Sequence, residues 1–429
     1  MLEKIKTNVA KLYREGALHI TVGTFLTKFV AFFGSIVVVR ILSKKEYGVV
    51  RYIENIYSYA LLAAALGLSF AILRYVVLGK SIEEKRSLFD YIIKNSIIRN
   101  ILIVIIVTVG SFLVVYPKKF ADARLWVPVL MLLLPFQDMV SDVQFTFRSF
   151  FRNRIYAWYA FAVSVALIVG RVVGAKLGGV GGVVISRVVV NAAFAIGGFI
   201  VAYRMFFKGV KTQPLGKELK KEINIYSFQY MITNGLWALI MLNDTYMIGK
   251  MTGDPLMLAD YGVAYVLPGN ISIFATAIGV FVAPYFTRNE KDSGWVRSNY
   301  KKVVAVSILV VGAICAVFAL FARPLISIMY GKEYLNTVGV MQVLLVAAFI
   351  NSGIRYTTAN LLAAMGQIKY NLIVSGVGIV IQVILDYILI PKMGCMGVAV
   401  SNCIVYSIMG FSLMVIFIKK YYFSKASAA

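Results

Sequence analysis

The sequence predicts an all-α, polytopic membrane protein with about twelve transmembrane helices, arranged as two six-helix lobes related by duplication. Three observations carry this prediction. Of the 429 residues, 60% are hydrophobic, apolar runs of membrane length recur along the whole chain, and short motifs repeat at an offset near half the chain length. Because a helix rises about 1.5 Å per residue, roughly 20 apolar residues cross a hydrocarbon core about 30 Å thick.

The apolar runs also divide the chain into domains. Spans are predicted at residues 16–41, 52–78, 96–116, 126–147, 156–176, 181–203, 224–249, 261–286, 303–322, 337–365, 370–390 and 397–418. Polar segments separate and flank them, which gives a cytoplasmic amphipathic N-terminal helix (1–15), an N-terminal six-helix lobe (16–203), a cytoplasmic linker (204–223), a C-terminal six-helix lobe (224–418) and a cytoplasmic tail (419–429).

Internal repetition relates the two lobes. Tyr47-Gly48-Val49 recurs as Tyr261-Gly262-Val263, half a chain length later. A second pattern recurs at nearly the same offset, with Gly179, Gly182, Val183 and Ser186 matching Gly394, Gly397, Val398 and Ser401. Six spans are an even number, so the second lobe enters the membrane from the same side as the first. We therefore expect parallel repeats with a substrate cavity between them.

Charge predicts the topology. Beginning with the N-terminus, alternate connections carry more than twice as many lysines and arginines as the intervening ones. The positive-inside rule then places both termini of this multi-pass protein in the cytoplasm. The net charge of +25 is thus a topology signal spread over short loops. Nucleic acid is not an expected partner.

The first span carries a lysine near its middle. Lys28 lies on a helical stripe of small and polar residues, namely Thr21, Thr24, Lys28, Ala31 and Ser35. A charge at the bilayer centre costs about 2.5–3.5 kcal/mol on insertion scales, which favours a stripe that lines an internal cavity. The alternative is a lysine that snorkels to the interface along its own stem.

Further charges fall inside or at the ends of the spans. Inside them lie five basic residues, Lys28, Arg74, Arg171, Arg187 and Arg355. Candidate substrate-binding residues are Lys28, Arg355, Arg74, Arg51, Arg40, Arg148, Lys250 and Asn351, and candidate coupling or gating residues are Asp244, Asp142, Glu54 and Asp138. Arg51 and Glu54, three residues apart on the second span, are expected to pair. Snorkelling or positive-inside anchoring explains Arg40, Arg51, Lys250, Arg74 and Arg148 equally well.

Several kinds of chemistry are not encoded. With the single histidine His19, the sequence predicts no histidine metal cluster, no catalytic triad and no catalytic residue. Gly79-Lys80-Ser81 lacks the leading glycine of a phosphate loop, because position 74 is Arg74. We expect no cofactor and no bound metal. The glycines at 178–182 join two apolar spans, so a tight turn is predicted there.

Several motifs resemble one family. They are Arg40-Ile41-Leu42-Ser43 through Glu46-Tyr47-Gly48, with Ser43 at a usual glycine; Leu66-Gly67-Leu68 and Ile72-Leu73-Arg74; Asp244 through Ile248-Gly249-Lys250, then Tyr261 to Tyr265, with Thr245 at a commonly basic position; and Asp386 through Leu389-Ile390-Pro391 and Gly394 to Gly397, with Asp386 at a usual asparagine. The chain resembles Wzx-type polysaccharide flippases, within the multidrug/oligosaccharidyl-lipid/polysaccharide (MOP) superfamily that also holds lipid II flippases and multidrug extruders.

The resemblance implies a transporter and not an enzyme. It implies alternating access that moves undecaprenyl-diphosphate-linked oligosaccharide from the inner to the outer leaflet in cell-surface polysaccharide biosynthesis, such as that of O-antigen. Lys28 and Arg355 are expected to meet the diphosphate, and Arg74 to guide it in. Expected partners are this lipid, membrane lipids and the polysaccharide polymerase machinery, with the protein a monomer and Na⁺ or H⁺ as the coupling ion. The alternatives are an ion-coupled multidrug or organic-cation extruder and, remotely, a membrane glycosyltransferase or polymerase.

Overall fold

The fold is all-helical in the part of the chain that can be described. The computed structural model describes residues 17–423, with side chains from residue 26 to 422 apart from 233, 234, 236, 237 and 280. The predicted amphipathic helix at 1–15 and the end of the predicted tail lie outside the described residues. Within 17–423 no β-strand occurs, and nine helices are long and apolar enough to cross a membrane.

The chain divides into two compact units, residues 1–235 and 236–429. Unit 1 contains α1 (Ala17–Ile41), α2 (Lys44–Leu62), α3 (Leu68–Ala71, continued by a π-helix at Ile72–Val76), α4 (Ile82–Leu113), α5 (Ala123–Met131), α6 (Leu133–Ser149) and α7 (Asn153–Phe206). α8 (Lys217–Thr252) begins in unit 1 and ends in unit 2.

Unit 2 continues with the remaining helices. They are α9 (Pro255–Asn270), α10 (Ser272–Arg288), α11 (Ser293–Leu320), α12 (Ala322–Met329), α13 (Val338–Phe349), a π-helix at Ile350–Tyr356, α14 (Thr357–Ala364), α15 (Ile368–Met393) and α16 (Cys395–Ile418). A final π-helical turn covers Lys419–Phe423. The helices follow the twelve predicted spans in order, with α7 supplying spans five and six.

Local sequence explains where α2 begins. Ser43 is its N-cap and forms a capping box with Glu46, in which each side chain accepts a hydrogen bond from the other residue's backbone N–H. The Ser43 Oγ and Glu46 Oε2 atoms are 2.7 Å apart. The helix therefore starts ahead of the predicted span at 52–78, because the cap precedes the apolar run.

The second predicted span, at 52–78, is not one continuous helix. The backbone leaves the helical region after α2, with φ of 46° at Ala65, 51° at Leu66 and 79° at Gly67. The Ala65 N–H, lost to the helix, donates instead to Asn100 Oδ1 at 2.7 Å. This side-chain acceptor satisfies a backbone group that hydrocarbon could not.

The predicted tight turn inside 178–182 is confirmed, and it is duplicated. Gly179 turns α7 back on itself with φ 52° and ψ −128°, and Gly394, which joins α15 to α16, has φ 56° and ψ −132°. Each turn brings two helices into close contact. A Cβ on Gly182 would lie 1.9 Å from the Gly174 carbonyl oxygen, and one on Gly397 would lie 2.5 Å from that of Leu389. The repeat read from the sequence therefore relates equivalent hairpins.

Candidate functional site

Lys28 lies in a small pocket of unit 1 whose lining is partly polar and largely apolar. The side chain is exposed on α1 and shares a cavity of about 310 Å³ with Gln144 of α6 and with Tyr156 and Ser164 of α7. The remaining lining is Thr27, Ala157, Ala160, Val163 and Leu167. None of these lining residues is acidic. A cationic pocket with amide and hydroxyl neighbours suits an anionic group that carries hydroxyl-rich substituents.

Two predicted arginines of unit 1 rest on aromatic rings. The Arg74 guanidinium lies on the π-helix after α3, 5.1 Å from the ring centre of Tyr226 and 5.7 Å from that of Tyr75. Arg148, at the end of α6, lies 5.4 Å from the Tyr156 ring that also borders the Lys28 pocket. Cation–π contact orients a guanidinium without neutralising its charge, so both remain able to attract anions.

The ion pairs that Glu54 of α2 forms with α7 differ from the predicted pairing. Glu54 does not form its ion pairs with Arg51. Its Oε1 atom lies 3.0 Å from Arg171 Nη2 and 2.8 Å from Arg187 Nη1, so one carboxylate bridges the two halves of α7. Arg51 acts on Glu54 electrostatically from the same helix. The prediction was wrong because the α7 turn brings two arginines to Glu54 from much later in the chain.

Asp138 and Asp142 form a buried acidic pair on α6. Asp138 is 7% exposed and accepts from Ser69 Oγ at 2.6 Å and from Asn100 Nδ2 at 2.7 Å. Asp142 is 2% exposed, and its Oδ1 atom has no hydrogen-bond partner among the described residues. Since Asn100 also accepts from the Ala65 N–H, one amide connects the acidic pair to the break between α2 and α3.

Asp244 is the centre of a buried network in unit 2. Its carboxylate accepts from Gln382 Nε2 at 2.6 Å, from Asn402 Nδ2 at 2.6 Å, and from the Tyr261 hydroxyl. These three partners come from α15, α16 and α9, so four helices meet at one carboxylate. Full satisfaction by three donors explains how the chain tolerates an acid that is 2% exposed.

A second acid, Asp386, lies in the same region. It is fully buried, accepts from Asn243 Nδ2 at 2.9 Å, and repels Asp244 electrostatically. Its Oδ1 atom has no hydrogen-bond partner within the described part of the chain. Neither acid takes part in an ion pair described for residues 26–422. The amides of Gln382, Asn402 and Asn243 direct their N–H groups at these carboxylates. The groups here that could hold a proton or a cation are therefore the two carboxylates themselves.

The predicted pair Asn351 and Arg355 lies on the π-helix of unit 2. Arg355 is 4% exposed and donates from Nη1 to Asn351 Oδ1 at 2.9 Å. Asn351 borders a cavity of about 350 Å³, together with Tyr356, Asn402 and Tyr406. Asn402 therefore connects this cavity to Asp244. A π-helix within a membrane-spanning segment often marks a functional site.

The remaining predicted residues lie at helix ends. Arg40 is exposed in the last turn of α1, and Lys250 is exposed near the end of α8, with its ammonium 5.7 Å from the Tyr246 ring centre. Both positions fit interfacial anchoring as well as ligand contact.

The sequence alone does not single out the polar partners of Asp244 as site residues. Gln382, Asn402 and Asn243 look like isolated polar residues in apolar spans, and Tyr261 stands out only as part of a repeated motif. The repeat itself holds a usable signal. At the offset that relates Gly179 to Gly394, Asn402 matches the intramembrane Arg187 and Asp386 matches Arg171.

Comparison with known families agrees with this architecture. A model of the family described as polysaccharide biosynthesis protein (Polysacc_synt) matches residues 13–290, which is more than half of the chain. The chain belongs to this polysaccharide biosynthesis protein family. A curated relative is an uncharacterized membrane protein of Methanocaldococcus jannaschii, 24% identical over 223 residues, which are 49% of this chain and 42% of the relative. The match thus spans less than half of that relative.

Solved structures share the fold of this family member. The lipid II flippase MurJ in an inward closed conformation matches with a TM-score of 0.71 and 16% identity, over 94% of this chain and 89% of MurJ. An inward-facing multidrug resistance MATE transporter of the MOP superfamily matches with a TM-score of 0.72 and 14% identity, over 96% of this chain and 100% of the transporter. A MOP superfamily transporter from Pyrococcus furiosus, whose binding pocket is described as reversed in polarity, matches with a TM-score of 0.64 and 14% identity, over 95% of both chains.

These similarities confirm the predicted fold class. The family member is a multi-pass membrane protein, with nine membrane-length apolar helices in its described part. Two of the solved proteins that share its fold are described as a lipid II flippase and a multidrug resistance transporter. The orientation of the termini and the roles of the individual residues stay predictions.

Proposed function

We propose that the protein flips a polyprenyl-diphosphate-linked oligosaccharide from the inner to the outer leaflet of the cytoplasmic membrane by alternating access. The single observation that carries this proposal is the pocket of Lys28. An ammonium within a membrane-spanning helix is costly unless it meets an anion, and the described lining of its pocket offers an amide and hydroxyls and not carboxylates. A diphosphate with attached sugars supplies both the charge and the hydroxyl groups.

Two further features support the proposal. The family of this chain is described as polysaccharide biosynthesis protein, and a lipid-linked oligosaccharide is a substrate that a membrane protein of such a family could carry. Arg74 and Arg355 provide additional cations within membrane-spanning segments, and Arg74 is exposed and held over two tyrosine rings. In this scheme Arg74 attracts the diphosphate from the inner leaflet, and Lys28 and Arg355 contact it during transfer.

The test is transbilayer movement in proteoliposomes. The probe is a fluorescent polyprenyl-diphosphate oligosaccharide, and its arrival in the outer leaflet is followed with a membrane-impermeant quencher. We expect movement with the wild type and a loss of at least tenfold in rate with Lys28→Gln. Lys291→Gln, which changes an exposed lysine outside the spans, serves as a matched control and keeps the wild-type rate. Equal rates for Lys28→Gln and Lys291→Gln would refute the role of Lys28.

The alternative function is an ion-coupled organic-cation extruder. The observation that favours it is the acidic network of unit 2, since buried carboxylates attract cations. Uptake of an organic cation that survives Lys28→Gln but fails with Asp244→Asn, together with no movement of the lipid, would establish this alternative. Product formation from a lipid-linked sugar donor in detergent would instead indicate a membrane glycosyltransferase or polymerase.

We also infer that the coupling cation, Na⁺ or H⁺, binds at Asp244 and Asp386. Both acids are buried, they repel each other, and Asp386 has an oxygen without a hydrogen bond from the described residues, so a cation would relieve the repulsion. We expect an imposed gradient of one of these ions to accelerate flipping by the wild type and not by Asp386→Asn. A gradient response that persists in Asp386→Asn would move the coupling site to Asp138 and Asp142.

A further inference from the structure

The arginine cluster of unit 1 occupies the place that the acidic network occupies in unit 2. The hairpin turns at Gly179 and Gly394 have matching backbone angles, and both are followed by a glycine whose Cβ would strike the opposite helix. The struck carbonyls, of Gly174 and Leu389, are separated along the chain by the same offset as the two turn glycines. The two hairpins are therefore equivalent residue by residue around their turns.

At equivalent positions the two hairpins carry opposite polarity. Arg171 corresponds to Asp386 and Arg187 corresponds to Asn402. In unit 2 these positions present the Asp386 carboxylate, which repels Asp244 electrostatically, and the Asn402 amide, whose Nδ2 atom donates to Asp244. In unit 1 they present two guanidinium groups that lie close enough to repel each other. One location in the repeat thus carries two arginines in unit 1, and an acid and an amide in unit 2.

The cluster in unit 1 has more positive charge than Glu54 neutralises. Arg51, Arg171 and Arg187 all act on this one carboxylate, which leaves two positive charges in excess. The Nε atoms of Arg51 and Arg171 are buried and have no hydrogen-bond partner among the residues that the structure describes. The side chains of Glu54, Arg171 and Arg187 are nevertheless 18–20% exposed.

We propose that Arg51, Arg171 and Arg187 form a binding site for a diphosphate group, in which Glu54 is a built-in competing anion. Two guanidinium groups already converge on a single oxygen of Glu54, at 3.0 and 2.8 Å. A diphosphate offers several oxygens and at least two negative charges, and guanidinium groups bind phosphate oxygens in pairs. Binding would displace the Glu54 side chain and neutralise the excess charge.

The ligand chemistry fits two sources, a free inorganic diphosphate and the head group of a polyprenyl lipid. The second source rests on the proposed function, because a flippase releases such a head group after transfer. The proposed site lies where release would occur, because the charge distribution predicts that the α1–α2 connection and the α7 turn beside it face the outer side of the membrane. In that case Glu54 returns to the arginines when the lipid leaves, which favours release over retention.

The experiment measures equilibrium binding to the purified full-length protein in detergent at constant ionic strength. Inorganic pyrophosphate and farnesyl diphosphate are the two probes, and farnesol is the control without a diphosphate. The variants are Glu54→Gln, Arg187→Gln, Arg187→Lys and, as a charge-matched control on the surface, Glu290→Gln. Arg187→Lys keeps a cation if Arg187→Gln fails to fold.

We expect the affinity for pyrophosphate to change in opposite directions when Glu54 and when Arg187 is substituted. Glu54→Gln removes the competitor and tightens pyrophosphate binding by about tenfold or more, whereas Arg187→Gln weakens it by a similar factor and Arg187→Lys by less. Tighter binding of farnesyl diphosphate than of pyrophosphate assigns the site to the lipid, and equal binding assigns it to the anion alone. Unchanged affinity in Glu54→Gln, or the same change in Glu290→Gln, would overturn the proposal.

This outcome is separate from that of the proposed function. Flipping by the wild type without the opposite affinity changes would refute the anion site alone. The affinity changes without any flipping would refute the flippase alone.

Discussion

The contact between Gly174 and Gly182 gives a prediction whose size can be worked from distances. In Gly182→Ala the new Cβ lies 1.9 Å from the Gly174 carbonyl oxygen and 2.6 Å from its carbonyl carbon. Carbon–oxygen contacts between adjacent helices are normally about 3.3–3.6 Å, so the hairpin must open by roughly 1.5 Å. Both neighbours are backbone atoms, which cannot rotate away. Such overpacking costs about 1–3 kcal/mol.

The opening also affects the charged cluster. The two halves of α7 carry Arg171 and Arg187, so separating them lengthens the bonds of 3.0 and 2.8 Å to the shared Glu54 oxygen. The better helix propensity of alanine returns up to about 1 kcal/mol. We therefore expect a net destabilisation of about 1–2 kcal/mol and a lower unfolding temperature, by about 2–4 °C per kcal/mol for a unit of this size.

The assay is thermal unfolding in detergent, followed by size-exclusion chromatography of the remaining folded protein. Gly197→Ala is the matched control, because it lies on the same helix and no described atom lies within 4 Å of its new Cβ. Its unfolding temperature is expected to equal or exceed that of the wild type. If Gly182→Ala were as stable as Gly197→Ala, the close approach of the two helix halves would be wrong.

Two further predictions concern the buried polar networks. Asn100→Ala leaves Asp138 and the Ala65 N–H without this partner, so it is expected to destabilise the protein by about 1–3 kcal/mol for each buried group. Asn95→Ala, on the same helix, removes only a bond from Asn95 Nδ2 to the Tyr91 carbonyl one turn earlier, and it is expected to leave the unfolding temperature nearly unchanged. Asp244→Asn removes one of the oxygens that three donors share and is expected to lower the unfolding temperature by several degrees, in contrast to the exposed Glu290→Gln. Equal melting within either pair would refute the corresponding network.

The spans could be predicted from the sequence because hydrocarbon imposes a length and a composition on every crossing segment. The repeat was also readable, since the turn geometry at Gly179 and Gly394 needs glycine twice. The break between α2 and α3 was not readable in the same way. It depends on Asn100, which satisfies the Ala65 N–H from another helix, and on Ser227, whose carbonyl lies where Gly67 would carry a Cβ.

The sequence predicted which charged residues belong to the candidate site, but it did not predict which residues they contact. Lys28, Arg355 and Asp244 stand out because a charge in an apolar span is rare and expensive. Their partners could not be inferred by spacing along one helix. Glu54 was expected to meet Arg51 three residues away, but it meets two residues of α7 instead. Likewise Asp244 finds Gln382 and Asn402 on two helices near the end of the chain.

The shortness of the Gly178–Gly179 turn has a consequence for biogenesis. With two residues outside helical geometry between its halves, α7 offers no stretch of chain that could stay in water while only one half is inserted. The two halves must enter the bilayer together as a helical hairpin. Arg171 and Arg187 then accompany each other through insertion, and Glu54, synthesised earlier, is already available to offset their charge. Glu54 is therefore synthesised before the two arginines whose charge it offsets.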